Sequence, residues 1–458
     1  MHDLRLPLDQ LPDPLPIAPL PGPFRARIDV PGSKSITNRA YVCAALAEGT
    51  SHIRRPLRSA DCDHLLTALE TLGASVRWVG DDVLITGVSG RFPRGGEVYL
   101  GDGGTPTRFM IAASCLAEKP VVVDGSARMR ERPVAEGVDL LRQLGASIEY
   151  IEEDGRLPVR IAPSVGFRGG ELMISRTASG QFVSAVMLIA PSLAGGVRMH
   201  FVELPTSAQY VRLTLGMMDP GWGMLVEHGA AEATVWPSIR LPEATRPAMD
   251  YAIEPDASSS AYWSATAAII GNSCYETSLT LDTMQPDIAI PRALVRRGCI
   301  LEETCCTTGV PRAATSLLRS PASLPGFDAL DASQFPDGAM VLAVVAARAT
   351  SPSHITGLGT LRVKETDRIA ALATELRRVG CTIVATDESI TIDPSTAHDD
   401  DVVIETYDDH RMAMAFAVLG LERGGISIAD PAVVAKSYPT FWRDLATLHE
   451  AASRAGAR

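Results

Sequence analysis

Pro31-Gly32-Ser33-Lys34-Ser35-Ile36-Thr37-Asn38-Arg39 runs straight into Ala40-Tyr41-Val42-Cys43-Ala44-Ala45-Leu46-Ala47, with Gly49 closing the segment. A Pro-Gly turn, small hydroxyl residues and two cations precede an Ala-rich apolar helix. Backbone N–H groups, hydroxyls and positive charge are thereby gathered at one helix N-terminus, which suits an anion. A Walker loop is excluded: that motif puts Lys directly after Gly, and here Ser33 separates Gly32 from Lys34. Alone, the stretch reads more simply as a capped surface helix with solvated charges. Its recurrence along the chain changes that reading.

The same phrase returns as Gly103-Gly104-Thr105-Pro106-Thr107-Arg108 before 109–117, and as Ser179-Gly180-Gln181 before 182–194. It returns again as Asp256-Ala257-Ser258-Ser259-Ser260 before 261–270, Pro336-Asp337-Gly338 before 339–347, and Asp408-Asp409-His410-Arg411 before 412–421. The interval of roughly 70–80 residues exceeds solenoid periods, so each unit is a small subdomain. A second phrase of helix, Gly, strand, turn and strand interleaves at 65–85, 140–161 and 369–392, with a weaker copy at 294–305 and a blurred one at 211–236. The Ala-rich helices carry few charges on any face and are therefore expected to be buried. The predicted architecture is α/β: two lobes, each of three such units, with buried helices and outer sheets. The lobe boundary falls before Glu254-Pro255-Asp256. Residues 1–32 (an arm and first strand) go with the C-terminal lobe 255–458, and 33–254 form the other, with an active site in the cleft between lobes.

The chain has 458 residues, 46% of them apolar, and a net charge of −12. That balance argues against a general nucleic-acid or membrane-surface binder, so an anionic substrate would need a local basic site. The eight Cys are scattered without a Cys-x-x-Cys pair, and adjacent Cys305-Cys306 are badly placed to chelate one metal. The nine His lack metal-ligand spacing. The first 23 residues are Pro- and Leu-rich, with Asp3, Asp9 and Asp13 among them, and lack a signal-peptide pattern. No apolar run is long enough to cross a bilayer. The expectation is a cytoplasmic protein with reduced thiols.

Cations collect at or beside the repeat starts: Lys34, Arg39, Arg108, Arg132, Lys364, Arg368, Arg411 and Lys436. Arg128-Met129-Arg130-Glu131-Arg132-Pro133 is dense in Arg for a structural turn. In Val363-Lys364-Glu365-Thr366-Asp367-Arg368, helical spacing puts Lys364 and Arg368 one turn apart on one face. Each cluster alone reads as a solvated salt-bridge network. Together they fit a site for a small substrate bearing phosphate and carboxylate, with Arg supplying bidentate contacts.

These segments, with Asp409-His410-Arg411-Met412-Ala413, resemble the signatures of the 5-enolpyruvylshikimate-3-phosphate synthase family of enolpyruvyl transferases, in the family's order and over nearly the whole chain. The resemblance implies a two-lobed inside-out α/β barrel that closes like a clamp. It implies transfer of the enolpyruvyl group of phosphoenolpyruvate to the 5-hydroxyl of shikimate 3-phosphate, with no metal or organic cofactor. The two small molecules would be its partners, with no nucleic acid or membrane, and the chain a monomer.

Carried over by position, Lys34 would touch both substrates. Ser35, Arg39, Ser179, Gly180, Gln181, Ser207, Tyr210, Asp337, Thr360 and Lys364 would hold shikimate 3-phosphate. Gly104, Arg132, Gln181, Arg368, Arg411 and Lys436 would hold phosphoenolpyruvate. Asp337 would be the base near the attacking hydroxyl and Glu365 the acid that protonates the methylene carbon. Lys34, crowded by Arg residues, would have a lowered pKa and shuttle a proton.

Three departures from the family pattern bear on affinity. Asp102 replaces an amide with a carboxylate beside an anion site, next to the stiffening Pro106; Gly180 stands where a second Ser is common; Thr360 stands where Asn is common. A related transferase acting on UDP-N-acetylglucosamine is disfavoured because 124–133 lacks its reactive Cys, and Cys115 lies in an apolar helix. A non-catalytic binder of phosphorylated ligands is disfavoured by the presence of Lys34, Asp337 and Glu365 together. A purely structural repeat scaffold accounts for the six units and leaves the clustered cations unexplained.

Overall fold

Helices that carry Ala or another small apolar residue on every face pack on all sides, and the chain uses six of them as the centres of its two units. The structure is a computed structural model, and it describes residues 3–175, 177, 179–203, 205–221, 227–228, 238–304, 315–394 and 400–456. Cys305, Cys306 and Trp236 lie outside the described residues. One unit is Gly32–Ile253; the other is Met1–Pro31 with Glu254–Arg458.

Among the described residues, the α-helices of the first unit are α1 (Lys34–Leu46), α2 (Ala60–Leu72), α3 (Gly104–Ser114), α4 (Ala127–Glu131), α5 (Ala135–Gln143), α6 (Gly180–Ile189) and α7 (Ala208–Gly216). Those of the second are α8 (Ala257–Ile270), α9 (Ala289–Val295), α10 (Ala339–Ala346), α11 (Arg368–Arg378), α12 (His410–Gly420) and α13 (Phe441–Gly456). Helices α1, α3 and α6 are buried along nearly their whole length and pack against one another. Helices α8, α10 and α12 do the same in the second unit. Helices α5 and α11 are instead amphipathic, with apolar residues on one face and charges on the other, as a surface helix requires.

Among the described residues, three small mixed sheets belong to each unit. In the sheet Gly96–Tyr99, Val121–Asp124, Val159–Ala162, Ser147–Tyr150, the first pair is parallel and the next two are antiparallel. The parallel pair flanks α3, and the antiparallel hairpin follows α5, so one sheet is one repeat of the sequence. The hairpin Ser75–Val79 and Asp82–Thr86 and the hairpin Thr382–Ala385 and Ile390–Asp393 form where the sequence predicts them. The α/β class and the repeated helix/strand units are therefore as the sequence implies.

Connectivity departs from simple repetition at one point. Arg25–Arg27 precedes α1 yet pairs in parallel with Cys274–Thr277, which follows α8. Asp250–Ala252 precedes α8 yet pairs in parallel with Thr50–Arg54, which follows α1. The last sheet takes Leu15–Ile17 as an antiparallel edge on Ile426–Ile428, beside Val402–Ile404. Among the described residues no helix is long and apolar enough to cross a membrane.

Candidate active site

In the unit Gly32–Ile253, the N-termini of α1, α3 and α6 bring the first set of site residues together. Lys34, the first residue of α1, places Nζ 3.1 Å from Oδ2 of Asp61 in the first turn of α2. The ammonium expected to be crowded by guanidinium groups thus meets a carboxylate, a partner the sequence reading missed. An acid in a first helical turn reads as a routine complement to the helix dipole. Asp61 also reaches α3: its Oδ1 lies 3.2 Å from where a Cβ on Gly103 would stand.

Gly104 opens α3 under two guanidinium groups. A Cβ here would stand 2.6 Å from Nη2 of Arg132 and 2.8 Å from Nη1 of Arg108, so glycine is what admits both cations to the helix N-terminus. Arg108 donates from Nη1 to Oε1 of Gln181 at 2.8 Å, and Gln181 Nε2 donates to Oγ1 of Thr105 at 2.8 Å. Arg132 is buried, and its Nε has no hydrogen-bond partner among the described residues. Two buried guanidinium groups over free helix N–H groups form a cradle for an anion.

Arg39 lies deeper, at 1% exposure. It donates to Thr214 Oγ1 at 2.7 Å, Ser35 O at 2.9 Å, Ser184 Oγ at 3.2 Å and Tyr210 O at 3.2 Å, joining α1, α6 and α7. All of these acceptors are neutral, and burial pushes the guanidinium down to about 10.

Two of the departures acquire physical reasons. Oδ1 of Asp102 accepts from Ser126 Oγ, while the same Ser126 accepts from Met129 N at 3.1 Å to cap α4. The carboxylate is thus engaged by a neighbouring hydroxyl. At Gly180 a Cβ would stand 2.5 Å from the Thr206 carbonyl oxygen, so this backbone has no room for serine. Ser179 caps α6 through Gln181 N at 3.3 Å, whereas Ser207 precedes α7 in a left-handed conformation with φ of 52° and makes no side-chain capping bond.

The second unit holds a dense ion-pair network. Arg368, at 1% exposure, donates to both oxygens of Asp409 and to Oδ1 of Asp337 at 2.8 Å, and its Nη2 forms an ion pair with Oε2 of Glu365 at 2.8 Å. Lys364 Nζ is 3.3 Å from Asp337 Oδ1, Arg411 Nη2 is 3.3 Å from Asp337 Oδ2, and Lys436 Nζ is 3.3 Å from Glu365 Oε1. Burial opposes ionisation of Asp337, but Lys364, Arg411 and Arg368 outweigh it and hold the carboxyl far below the usual range. For Arg368, burial likewise opposes the charge, and Asp409, Glu365 and Asp337 reverse that effect and raise it. Thr360 Oγ1 is buried without a hydrogen-bond partner among the described residues.

One expectation is corrected here. Lys364 and Arg368 do not share a helix face: Lys364 is extended (φ −87°, ψ −153°), and α11 begins at Arg368 after the cap Asp367. They converge instead on one oxygen of Asp337. The likewise expected inert thiol, Cys115, is buried at the end of α3, and desolvation pushes it up.

A sequence model of the family described as EPSP synthase (3-phosphoshikimate 1-carboxyvinyltransferase) matches residues 20–445. The chain is 38% identical over 426 residues to the 3-phosphoshikimate 1-carboxyvinyltransferase of Methanoculleus marisnigri, covering 93% of this chain and 97% of that one. It is 37% identical over 427 residues to that of Syntrophobacter fumaroxidans, with the same coverage. Among solved structures, EPSP synthase from Acinetobacter baumannii superposes with a TM-score of 0.75 at 25% identity, over 94% of this chain and 98% of the other.

Proposed function

The chain belongs to the EPSP synthase (3-phosphoshikimate 1-carboxyvinyltransferase) family, and from that premise we propose which of its residues carry the reaction. The enzyme transfers the enolpyruvyl group of phosphoenolpyruvate to the 5-hydroxyl of shikimate 3-phosphate and releases phosphate. The hydroxyl adds to C2 of phosphoenolpyruvate as C3 gains a proton; C3 then returns a proton as phosphate leaves. Acid and base must therefore act on one substrate pair.

The observation that carries the assignment is that Asp337 and Glu365 are each tied to cations that an anionic substrate would claim. With Lys364 and Arg411 on it, Asp337 is too well stabilised to be a strong base. Substrate phosphate and carboxylate drawing on those cations would restore its basicity toward the 5-hydroxyl. Glu365 gains likewise: as phosphate takes up the charge of Lys436, the carboxyl becomes able to hold the proton destined for C3. Lys34, poised on Asp61, would move between that carboxylate and the substrates.

Gly104, Arg132 and Gln181 would receive phosphoenolpyruvate with Arg368, Arg411 and Lys436. Ser35, Ser179, Gly180, Ser207, Tyr210, Thr360 and Lys364 would line the shikimate 3-phosphate site. Arg39 would fix its wall and lend it an uncompensated positive charge. A monomeric, cytoplasmic enzyme completes the proposal. Phosphate release should require both substrates. Glu365→Gln should keep both KM values within a few-fold while kcat falls about 10²- to 10⁴-fold. Near-normal kcat in that variant refutes the acid role.

A further inference from the structure

Behind the Asp337–Arg411 pair stands a carboxyl that the reaction, as assigned above, leaves unused. Asp287 occupies the 3-10 turn Pro286–Ile288 and is 1% exposed. Ser258, in the first turn of α8, donates its hydroxyl to Oδ2, while Oδ1 has no hydrogen-bond partner among the described residues. That Oδ1 lies 3.4 Å from where a Cβ on Gly338, the residue after Asp337, would stand.

The turn is firmly held. Gln285 Oε1 accepts from Ala257 N at 3.0 Å, Gln285 Nε2 donates to Pro255 O at 2.8 Å, and Thr283 Oγ1 donates to Glu254 Oε2 at 2.5 Å. A buried carboxyl with an unpartnered oxygen is a costly filler, and an apolar side chain would pack there at less expense.

The groups acting on Asp287 are Arg411 from α12, Asp337 from the turn before α10, and Asp256 at the cap of α8. Arg292, the ionisable residue of α9, turns instead to the Leu281 carbonyl at 2.9 Å. Arg411 also acts on Tyr262 of α8, opposing the rise that burial imposes on its phenol. This guanidinium therefore stands among two carboxyls and a phenol.

We propose that Asp287 is a positioning residue for Arg411: protonated, it leaves the guanidinium to Asp337 and the anionic substrate, and ionised, it draws on the same charge. The inference rests on the assignment of Arg411 to phosphoenolpyruvate. Burial pushes the Asp287 carboxyl up to about 7, with Arg411 opposing the rise and Asp337 adding to it. The change of state thus falls near neutrality, and by linkage the substrate anion and the proton favour each other.

The test is KM for phosphoenolpyruvate at saturating shikimate 3-phosphate, measured from about pH 6 to 8.5. Against the substrate's own titration, common to all variants, the wild type should show an additional rise of about 3- to 10-fold with an inflection near neutrality. Asp287→Asn should lose that rise while kcat at low pH stays within about twofold, a split that a merely structural role would not give. An Asp287→Asn profile matching the wild type overturns the proposal. Ser258→Ala, which keeps the carboxyl and removes a donor to its ionised form, should move the inflection upward, and an unmoved inflection also overturns it. Arg411→Gln separates the premise from the inference. Unchanged KM there removes the assignment of Arg411, whereas raised KM with an unaltered Asp287→Asn profile removes the role of Asp287 alone.

Discussion

Arg368 grips Asp409 edge-on, with Nε 2.6 Å from Oδ2 and Nη2 3.1 Å from Oδ1, and neither side chain meets solvent. Asp409 also accepts from Arg411 N at 2.8 Å, so one carboxylate both caps α12 and fixes the hub of the ion-pair network. Asp409→Ala leaves Arg368 buried with a lost counter-charge and should cost about 3–5 kcal/mol in urea unfolding. Turnover should fall as well, because Asp337 and Glu365 lose their common anchor.

Gly180 and the Thr206 carbonyl set a second test. Restoring the common serine by Gly180→Ser puts a Cβ 2.5 Å from a backbone oxygen, so the loop before α7 must shift. The expected result is a raised KM for shikimate 3-phosphate and a stability loss of about 1–3 kcal/mol, seen as a lower Tm. A variant that binds more tightly without loss of stability would show that the loop yields freely.

Ser126 should control the odd carboxylate of the glycine loop. With Asp102 engaged by Ser126 Oγ, Asp102→Asn should leave KM for phosphoenolpyruvate within about twofold, since a tethered charge contributes little repulsion. Ser126→Ala removes one donor from Asp102 and should raise that KM more than Asp102→Asn does. It also removes the cap of α4, at about 1 kcal/mol by chemical denaturation.

Stability should carry two opposite pH signatures in the second unit. Asp287 is raised when folded, so folding takes up its proton between the ordinary carboxylate range and about 7, and its contribution worsens as pH rises through that window. Asp287→Asn should therefore unfold at a higher urea concentration than the wild type at about pH 8 and at an equal one at about pH 4. Asp337 is depressed when folded, so its contribution is present above the ordinary range and lost only as pH falls below it. Asp337→Asn should flatten the acid limb of the same curve.

The buried helices and the hairpins were legible because their signals are local: Ala on every face, or apolar alternation around an Asp81-Asp82 turn. The clustered cations were legible as a class, since Lys34, Arg132 and Arg411 all fall at or near repeat starts. Their partners were not. Asp61 reads as a first-turn acid and Asp287 as a routine residue before a helix, and only tertiary packing brings them to Lys34 and Arg411. The face-sharing of Lys364 and Arg368 failed because Asp367 caps α11 and stops the helix short of Lys364. Gly180 looked like a lost hydroxyl, and its cause, a carbonyl more than twenty positions away, has no trace in the local sequence.

The strand pairings of the chain's beginning bear on its birth at the ribosome. Leu15 opposes Ile428 and Arg25 opposes Cys274, while the Pro31 carbonyl accepts from Asp256 N at 2.9 Å. Leu15 must therefore wait through roughly four hundred further residues of translation before its partner exists. Meanwhile Gly32–Ile253 emerges complete, as an insertion whose flanking residues end up hydrogen-bonded to each other. A nascent chain paused shortly after residue 290 should thus contain a protease-resistant core that begins at Gly32, preceded by a head still open to cleavage.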